Sequence, residues 1–290
     1  MERLAAAFDP GAGRRARRAA VRGGSGLFVW GWVVFSFALL AWLVIAAFKR
    51  NNTVFNNLWA LPDSFEGGNF GDAWSLLNLT RTSLNSVLTV GGGTLLTMVL
   101  AAPAAYALSR MKFRGAGTLT GFFALGIAVP VHAIIIPLFL GISRAGLANS
   151  LWGLTLTYIG VSIPFAVFLM TGFFRSLPSE LEEAATMEGA GSVRVFFSVM
   201  LPLARPGLVA TALIVAVGLW NEFILALTLT FDEDKRTIGV GLLNTFGAMR
   251  YTSNWVGLFA AVVIMLAPLI VLYIWMSRRI IEGLTVGATK

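Results

Sequence analysis

The chain has 290 residues, of which 57% are hydrophobic and only 12% are charged, with a mean hydropathy of +0.79 and a net charge of +8. Because a soluble domain carries about 25% charged residues, this composition excludes an ordinary soluble globular protein and predicts a membrane protein. The chain has no cysteine, which excludes disulfides, thiolate catalysis and cysteine-based metal sites.

Residues 1–27 form a basic arm that contains six arginines, most of them in the stretch RRARRAAVR. We interpret this arm as a cytoplasmic segment that contacts anionic membrane lipid rather than nucleic acid. The apolar segment Phe28–Phe48 follows it. With 21 residues this segment is longer than the apolar region of a signal peptide, so we predict a retained membrane span.

Six segments are apolar and long enough to cross a bilayer core of ~30 Å as helices. They are Phe28–Phe48, Leu84–Leu108, Leu119–Ile142, Leu151–Phe174, Pro206–Phe231 and Trp255–Met276. Of the 22 lysines and arginines, 15 lie on the side that holds both termini and seven on the other. Because basic residues are retained in the cytoplasm, we predict that both termini are cytoplasmic. This topology gives a transmembrane domain at 28–277, outer loops at 49–83 and 232–254, and a cytoplasmic tail at 278–290.

The predicted cytoplasmic loop at 175–205 is unusually acidic. Pro178 ends the preceding segment, and Ser179 followed three residues later by Glu182 predicts a helix that starts with a capping box. Small and apolar residues recur at helical spacing after it, which gives the helix one narrow face. Gly189 is predicted to end this helix before a second, apolar helix begins. An ordinary amphipathic helix on the membrane surface would explain the capping and the apolar run, but not the narrow face.

This loop resembles the cytoplasmic EAA loop of permease subunits in binding-protein-dependent ABC importers. The matching residues are Glu183, Ala184, Ala185, Gly189, Val199, Leu201 and Pro202. The resemblance implies an all-α type I importer permease fold, in which the first helix of the loop docks into a cleft of an ATPase subunit. Glu183 and Glu188 would then contact the ATPase. The residues that would permit close packing are Ala184, Ala185 and Gly189.

Other segments resemble the second permease subunit of maltose-type carbohydrate importers. They are LPDSFEGGNFGDAW after the first span, LNSV at the start of the second, WNEF in the fifth and EGLTVGATK at the end. The resemblance implies that this chain lies in the bacterial inner membrane and has three kinds of partner: a second homologous permease, two ATPase subunits and an extracytoplasmic sugar-binding protein. No Gly-Lys pair occurs, so the chain lacks a phosphate-binding loop. ATP and Mg²⁺ would therefore belong to the partner ATPase, and this chain is expected to bind no cofactor and catalyse nothing.

Glu222 is the only acidic residue within the six predicted spans. Together with Trp220 and Asn221 it offers a flat apolar surface, an amide and a carboxylate, which are groups that can stack against and hydrogen-bond a polyol. A role in the substrate path is one interpretation of these three residues. A structural hydrogen bond is another, and proton coupling together with His132, the only histidine, is a third.

The third outer loop, at 232–254, is predicted to contact the binding protein. By resemblance, Gly239–Arg250 would reach into the ligand cleft of that protein, with Gly239, Asn244 and Thr245 as contact residues and Asn244 at the tip. The alternative is a structured turn that touches only the rim of the binding protein. Two rival functions also remain for the whole chain: a proton-coupled secondary transporter, for which inverted repeats and paired charges are missing, and a structural membrane subunit.

Overall fold

The structure is a computed structural model that describes the backbone of residues 10–57 and 59–288 and most side chains between Gly24 and Ile274. Within these ranges it contains helices and no β-strand, which confirms the predicted all-α class. The helices are α1 (Pro10–Ala47), α2 (Gly68–Leu76), α3 (Leu79–Arg110), α4 (Ala116–Ala128), α5 (Ile135–Arg144), α6 (Leu151–Ser176), α7 (Glu180–Met187), α8 (Ser192–Val195), α9 (Leu201–Leu203), α10 (Arg205–Trp220), α11 (Ile224–Leu229), α12 (Ile238–Thr252) and α13 (Trp255–Ala288).

Three of the described helices are long and apolar enough to cross a membrane without interruption: the Gly24–Ala47 part of α1, α3 and α6. Two helix pairs meet the same criteria only when each pair is taken together, and both are bent. α4 makes an angle of 89° with the segment Val131–Arg144, and Ser192–Leu203 makes an angle of 74° with α10. Length and composition thus support three spans, or up to five if each bent pair crosses once. The number six stays a prediction.

The third and fifth predicted spans are not continuous helices. The third is interrupted at Pro130, which lacks a backbone N–H, and the chain continues as a 3₁₀ turn at Val131–Ile134 before α5 begins. The fifth is interrupted after Trp220, where three residues separate α10 from α11. Hydropathy averaged over a whole span did not predict either break, because the few polar residues there, His132 in the first and Asn221 and Glu222 in the second, lie between long apolar stretches.

α3 and α6 form the centre of the bundle. A Cβ atom placed on Gly93 of α3 would lie 3.3 Å from the Cβ of Tyr158 on α6, so the two backbones approach closely where the side chain is absent. α10 packs on α6 through Gly207, where an added Cβ would overlap the ring of Phe173. These contacts hold α3, α6 and α10 together, and the helical hairpin described next follows the end of α6.

Candidate functional site

The loop predicted at 175–205 forms a helical hairpin, with α7 as its first arm. α7 ends in a turn at Gly189, whose φ is +85°. The amide of Gly189 donates to the carbonyl of Thr186 at 2.9 Å, and the amide of Ala190 donates to that of Ala185 at 3.1 Å. This pair of hydrogen bonds is the Schellman pattern that ends many helices. Since glycine is the residue that adopts positive φ without strain, Gly189 is needed for the turn itself.

The second arm of the hairpin changes its helical period along its length. α8 leads into a π-helical turn at Phe196–Met200, in which the amide of Leu201 donates to the carbonyl of Phe196. Pro202, which has no N–H, follows immediately, and π turns are a usual way to adjust the backbone where the regular ladder is interrupted. The turn leaves Phe196 and Met200 buried in the bundle. The predicted second helix therefore exists, but it is not a uniform α-helix.

The predicted capping box at the start of α7 is wrong. Ser179 has helical backbone angles (φ −74°, ψ −24°), and its side chain accepts no hydrogen bond from the helix. The Glu182 carboxylate instead faces α3, where Tyr106 Oη donates to Oε1 at 2.7 Å and Arg110 Nε lies 3.9 Å from Oε2. Hydrogen bonds and ion pairs in this partly buried setting are stronger than a solvent-exposed bond to the helix amide.

Tyr106 and Arg110 were not predicted as site residues. The Arg110 guanidinium also donates to the carbonyls of Phe174 and Leu177 at the end of α6. The Tyr106 ring lies 5.7 Å from the ring of Phe174 and 5.1 Å from that of Phe196, measured between centroids. These partners lie 64 or more positions from Tyr106 and Arg110 in the chain, so local sequence patterns carried no signal of the cluster.

The other face of α7 is open to solvent. Glu183, Ala184, Glu188 and Gly189 are exposed, whereas Ala185 is half-buried. Met187 is 90% exposed, which is unusual for a large apolar side chain. The residues predicted to contact an ATPase are thus brought together on one short helix, and Met187 adds an apolar group that the sequence comparison did not single out.

The break between α10 and α11 is organised by Glu222. Its Oε1 accepts from the amide of Leu225 at 2.7 Å, and its Oε2 accepts from the amide of Ala226 at 3.1 Å. Oε2 also accepts from Tyr158 Oη at 3.2 Å, and Tyr158 is 1% exposed. The carboxylate therefore caps the first turn of α11 and ties it to α6. These contacts favour the structural interpretation of Glu222 over direct contact with a substrate.

Trp220, Asn221 and Glu222 line a cavity of about 400 Å³. Asn221 is exposed, and its side-chain amide donates to the carbonyl of Val217 at 2.8 Å. The indole N–H of Trp220 is buried and has no hydrogen-bond partner in the described part of the chain. Most of the remaining lining is apolar. It comprises Phe223, Gly239, Leu242, Leu243, Phe246, Leu258, Val262 and Met265.

The segment predicted as an outer probe lies within α12. Gly239 faces Phe223 and belongs to the wall of the cavity just described, and Thr245 is 8% exposed. Asn244 is exposed, and its side-chain amide donates to the carbonyl of Val240 one helical turn earlier. Of the three predicted contact residues, Asn244 is exposed, Gly239 is half-buried and Thr245 is buried.

Polar side chains attach the segment before α12 to the bundle. Asn85 of α3 donates to the carbonyls of Asp234 and Arg236, both at 2.9 Å. Asn149 accepts from the amide of Asp232 at 3.0 Å. Hydrogen bonding from the Asn149 side chain, and then from Lys235, holds the pKa of Asp232 below its usual value. The segment before α12 is therefore a fixed connection rather than a free loop.

Comparison with known proteins places this geometry in a family. The model of the family described as "Binding-protein-dependent transport system inner membrane component" matches residues 93–285, which is well over half of the chain. The matched range includes the hairpin, the break at Glu222 and α12.

Individual relatives agree with the family match. The chain is 36% identical over 259 residues to a diacetylchitobiose uptake system permease protein, NgcG, of Streptomyces coelicolor, with 89% of this chain and 86% of that protein covered. It is 34% identical over 266 residues to the trehalose transport system permease protein SugB of Mycobacterium tuberculosis, covering 89% and 94%. A solved bacterial ABC transporter involved in the import of alginate, an acidic polysaccharide, has the same fold, with a TM-score of 0.74, 24% identity, and 87% and 95% covered.

Proposed function

Because the chain belongs to the family of binding-protein-dependent transport system inner membrane components, we propose that it is the permease subunit of an ATP-driven importer that takes up a sugar. The observation that carries the proposal is the cytoplasmic hairpin, in which α7 turns Glu183, Glu188 and Met187 toward solvent. The named relatives support the substrate class, since diacetylchitobiose and trehalose are both disaccharides.

The assembly consists of this chain, a second permease subunit, two ATPase subunits that bind ATP and Mg²⁺, and an extracytoplasmic sugar-binding protein. Membership in a binding-protein-dependent family supports a binding protein as partner. The chain lies in the bacterial inner membrane with both termini in the cytoplasm. The arm at 1–27 and the tail at 278–290 then flank a transmembrane domain at 28–277, and the hairpin faces the compartment that holds ATP.

The ATPase is bound by the exposed face of α7. Glu183 and Glu188 supply negative charge, and Met187 supplies an apolar anchor of the kind that fills a pocket at the centre of a protein interface. Ala184 has no side chain beyond Cβ, so a partner can come close to the helix backbone there. Gly189 contributes by ending the helix, which leaves Glu188 at its tip.

The path for the sugar is shared between the two permeases. In this chain Trp220 and Asn221 contribute to the cavity wall, while Glu222 holds the break in position through its bonds to α11 and Tyr158. Asn244 is the residue of α12 that reaches the binding protein. No described hydrogen bond or ion pair joins Glu222 to His132, so nothing in the described side chains favours the proton-coupled alternative.

The test of this function is uptake by the assembled importer in proteoliposomes. We expect Glu183→Lys to remove most of the co-purifying ATPase and to abolish ATP-dependent sugar uptake, because it reverses a charge on the docking face. Asp72→Lys is the matched control, since it makes the same change of charge at an exposed acidic residue of α2, outside the hairpin. The proposal is wrong if Glu183→Lys retains the ATPase and transports sugar as well as the control does.

A further inference from the structure

α7 is held in a defined orientation although it has only eight residues and none of them is buried. Helices shorter than about 12 residues are marginal in water on their own. The position of α7 therefore depends on a small number of contacts with the rest of the protein. Glu182 makes the most specific of these contacts, because both of its carboxylate oxygens face α3.

The partners of Glu182 lie on one face of α3. Tyr106 and Arg110 are four positions apart, so their side chains are neighbours on the helix surface. Tyr106 donates to one oxygen at 2.7 Å, and the Arg110 guanidinium is 3.9 Å from the other. The side chains of Arg110 and Glu182 are 11% and 22% exposed, so the ion pair is largely shielded from water. Such a pair is stronger than a surface salt bridge because it is less screened.

The same residues connect the hairpin to α6. Arg110 donates to the carbonyls of Phe174 and Leu177, which lie at the C-terminal end of α6 and carry its negative partial charge. Tyr106 is 2% exposed and packs edge-on against Phe174 and, at a tilt, against Phe196 of the second hairpin arm. The ends of α3, α6 and both arms of the hairpin therefore meet at these side chains.

We propose that Tyr106, Arg110 and Glu182 form the joint through which movement of α7 is transmitted to α3 and α6. This inference rests on the proposed function, in which an ATPase moves α7. Glu182 and Glu183 are consecutive, so their side chains are separated by about 100° around the helix. Glu183 faces the ATPase, whereas Glu182 faces the bundle. The three joint residues are positioning residues and do not contact the ATPase.

Variants of Tyr106 and Glu182 would behave differently if this cluster only stabilised the fold than if it transmitted movement. If the cluster only stabilised the fold, its variants would lower the yield of complex without changing the sugar transported per ATP hydrolysed. If it transmits movement, conservative variants would assemble and bind the ATPase, yet hydrolyse ATP without proportionate transport. Losing one charge-assisted hydrogen bond changes the ratio of two conformational states, here with the joint formed and with it broken, by about tenfold or more.

The functional test uses Tyr106→Phe and Glu182→Gln in the full importer with its binding protein. Tyr106→Phe keeps the ring contacts and removes the hydroxyl group, and Glu182→Gln keeps the size and removes the charge. Glu180→Gln is the matched control. We expect the ratio of sugar transported to ATP hydrolysed to fall about tenfold in both variants, with ATPase binding unchanged. An unchanged ratio overturns the proposal, and so does a loss of ATPase binding, because Glu182 would then belong to the docking surface.

A second measurement tests the joint without transport. Since the chain has no cysteine, spin labels can be placed in the assembled complex at Met111→Cys, just after α3, and at Thr186→Cys, an exposed position of α7 that is not one of the proposed docking residues. We expect a narrow distance distribution in the otherwise unchanged protein and in Glu180→Gln, and a broadened one in Glu182→Gln. A narrow distribution in Glu182→Gln overturns the joint. Docking is judged separately by Glu183→Lys, so the joint and the proposed function can fail independently.

Discussion

Replacing Glu222 tests whether the carboxylate holds the break between α10 and α11. In Glu222→Ala the amides of Leu225 and Ala226 lose their side-chain acceptor, and Tyr158 Oη loses its partner while almost fully buried. Loss of a helix cap costs about 1 kcal/mol. A stranded buried hydroxyl group adds about 1–3 kcal/mol. We therefore expect Glu222→Ala to destabilise the folded chain by about 3 kcal/mol.

Tyr158→Phe separates the contribution of the helix cap from that of the buried hydroxyl group. It removes the donor but leaves Glu222 bonded to both amides, so its cost is expected to be about 1 kcal/mol. In the double variant no hydroxyl group is left without a partner. The double variant should therefore lose about 1–2 kcal/mol less free energy of unfolding than the sum of the losses in the two single variants.

The assay is thermal unfolding of the purified complex in detergent, followed by intrinsic tryptophan fluorescence. For a chain of this size about 1 kcal/mol corresponds to a shift of roughly 2–4 °C in the midpoint. Asn221→Ala is the control, because Asn221 is exposed and its side chain bonds only within its own helix turn. Additive effects of Glu222→Ala and Tyr158→Phe, or an unfolding midpoint for Glu222→Ala equal to that of the control, would refute the assignment of Glu222 as a cap.

Two further predictions concern the hairpin turn and the outer surface. Gly189→Val should destabilise the hairpin by about 1–2 kcal/mol, because a β-branched residue is strained at positive φ, and Gly189→Asn should destabilise it less. Limited proteolysis of the hairpin would measure the difference. Equal cleavage rates for the two variants would contradict this prediction. Hydrogen bonds from Arg50 and then Ser64 lower the pKa of Glu66 from 4.5. The stabilisation by this ion pair is therefore fully present above pH 4.5 and is lost as the pH falls through the lowered value. Hydrogen-exchange protection factors near Glu66, which correct for the intrinsic pH dependence of exchange, should follow this loss, and Arg50→Gln should weaken it.

The sequence was sufficient to predict the hairpin and the continuous helices. The EAA-like pattern fixed the position of α7 and its end at Gly189, because both depend on residues close together in the chain. The segments Leu84–Leu108 and Leu151–Phe174 lie inside α3 and α6, since uninterrupted apolar runs of that length leave the backbone no other way to satisfy its hydrogen bonds.

Features that depend on distant contacts could not be predicted in the same way. The capping box failed because Glu182 has Tyr106 as a competing partner 76 positions away. The break at Asn221 was not predicted because its cap, Glu222, lies among apolar residues and looked like a substrate-binding group. The segment at 239–250 was predicted as part of an outer loop, and its helical conformation was not predicted. Gly241 of this helix lies close to Thr82, a contact between positions far apart in the chain.

The polar contact between the end of α1 and the start of α13 has a consequence for biosynthesis. Asn51, just after α1, accepts from the amide of Trp255 at 2.8 Å and donates to the carbonyl of Ser253, which lies 202 residues further along the chain. At a synthesis rate of about 5–20 residues per second, this partner emerges roughly 10–40 seconds after Asn51. During that interval α1 must reside in the bilayer without its neighbour, with lipid or another subunit covering its apolar surface.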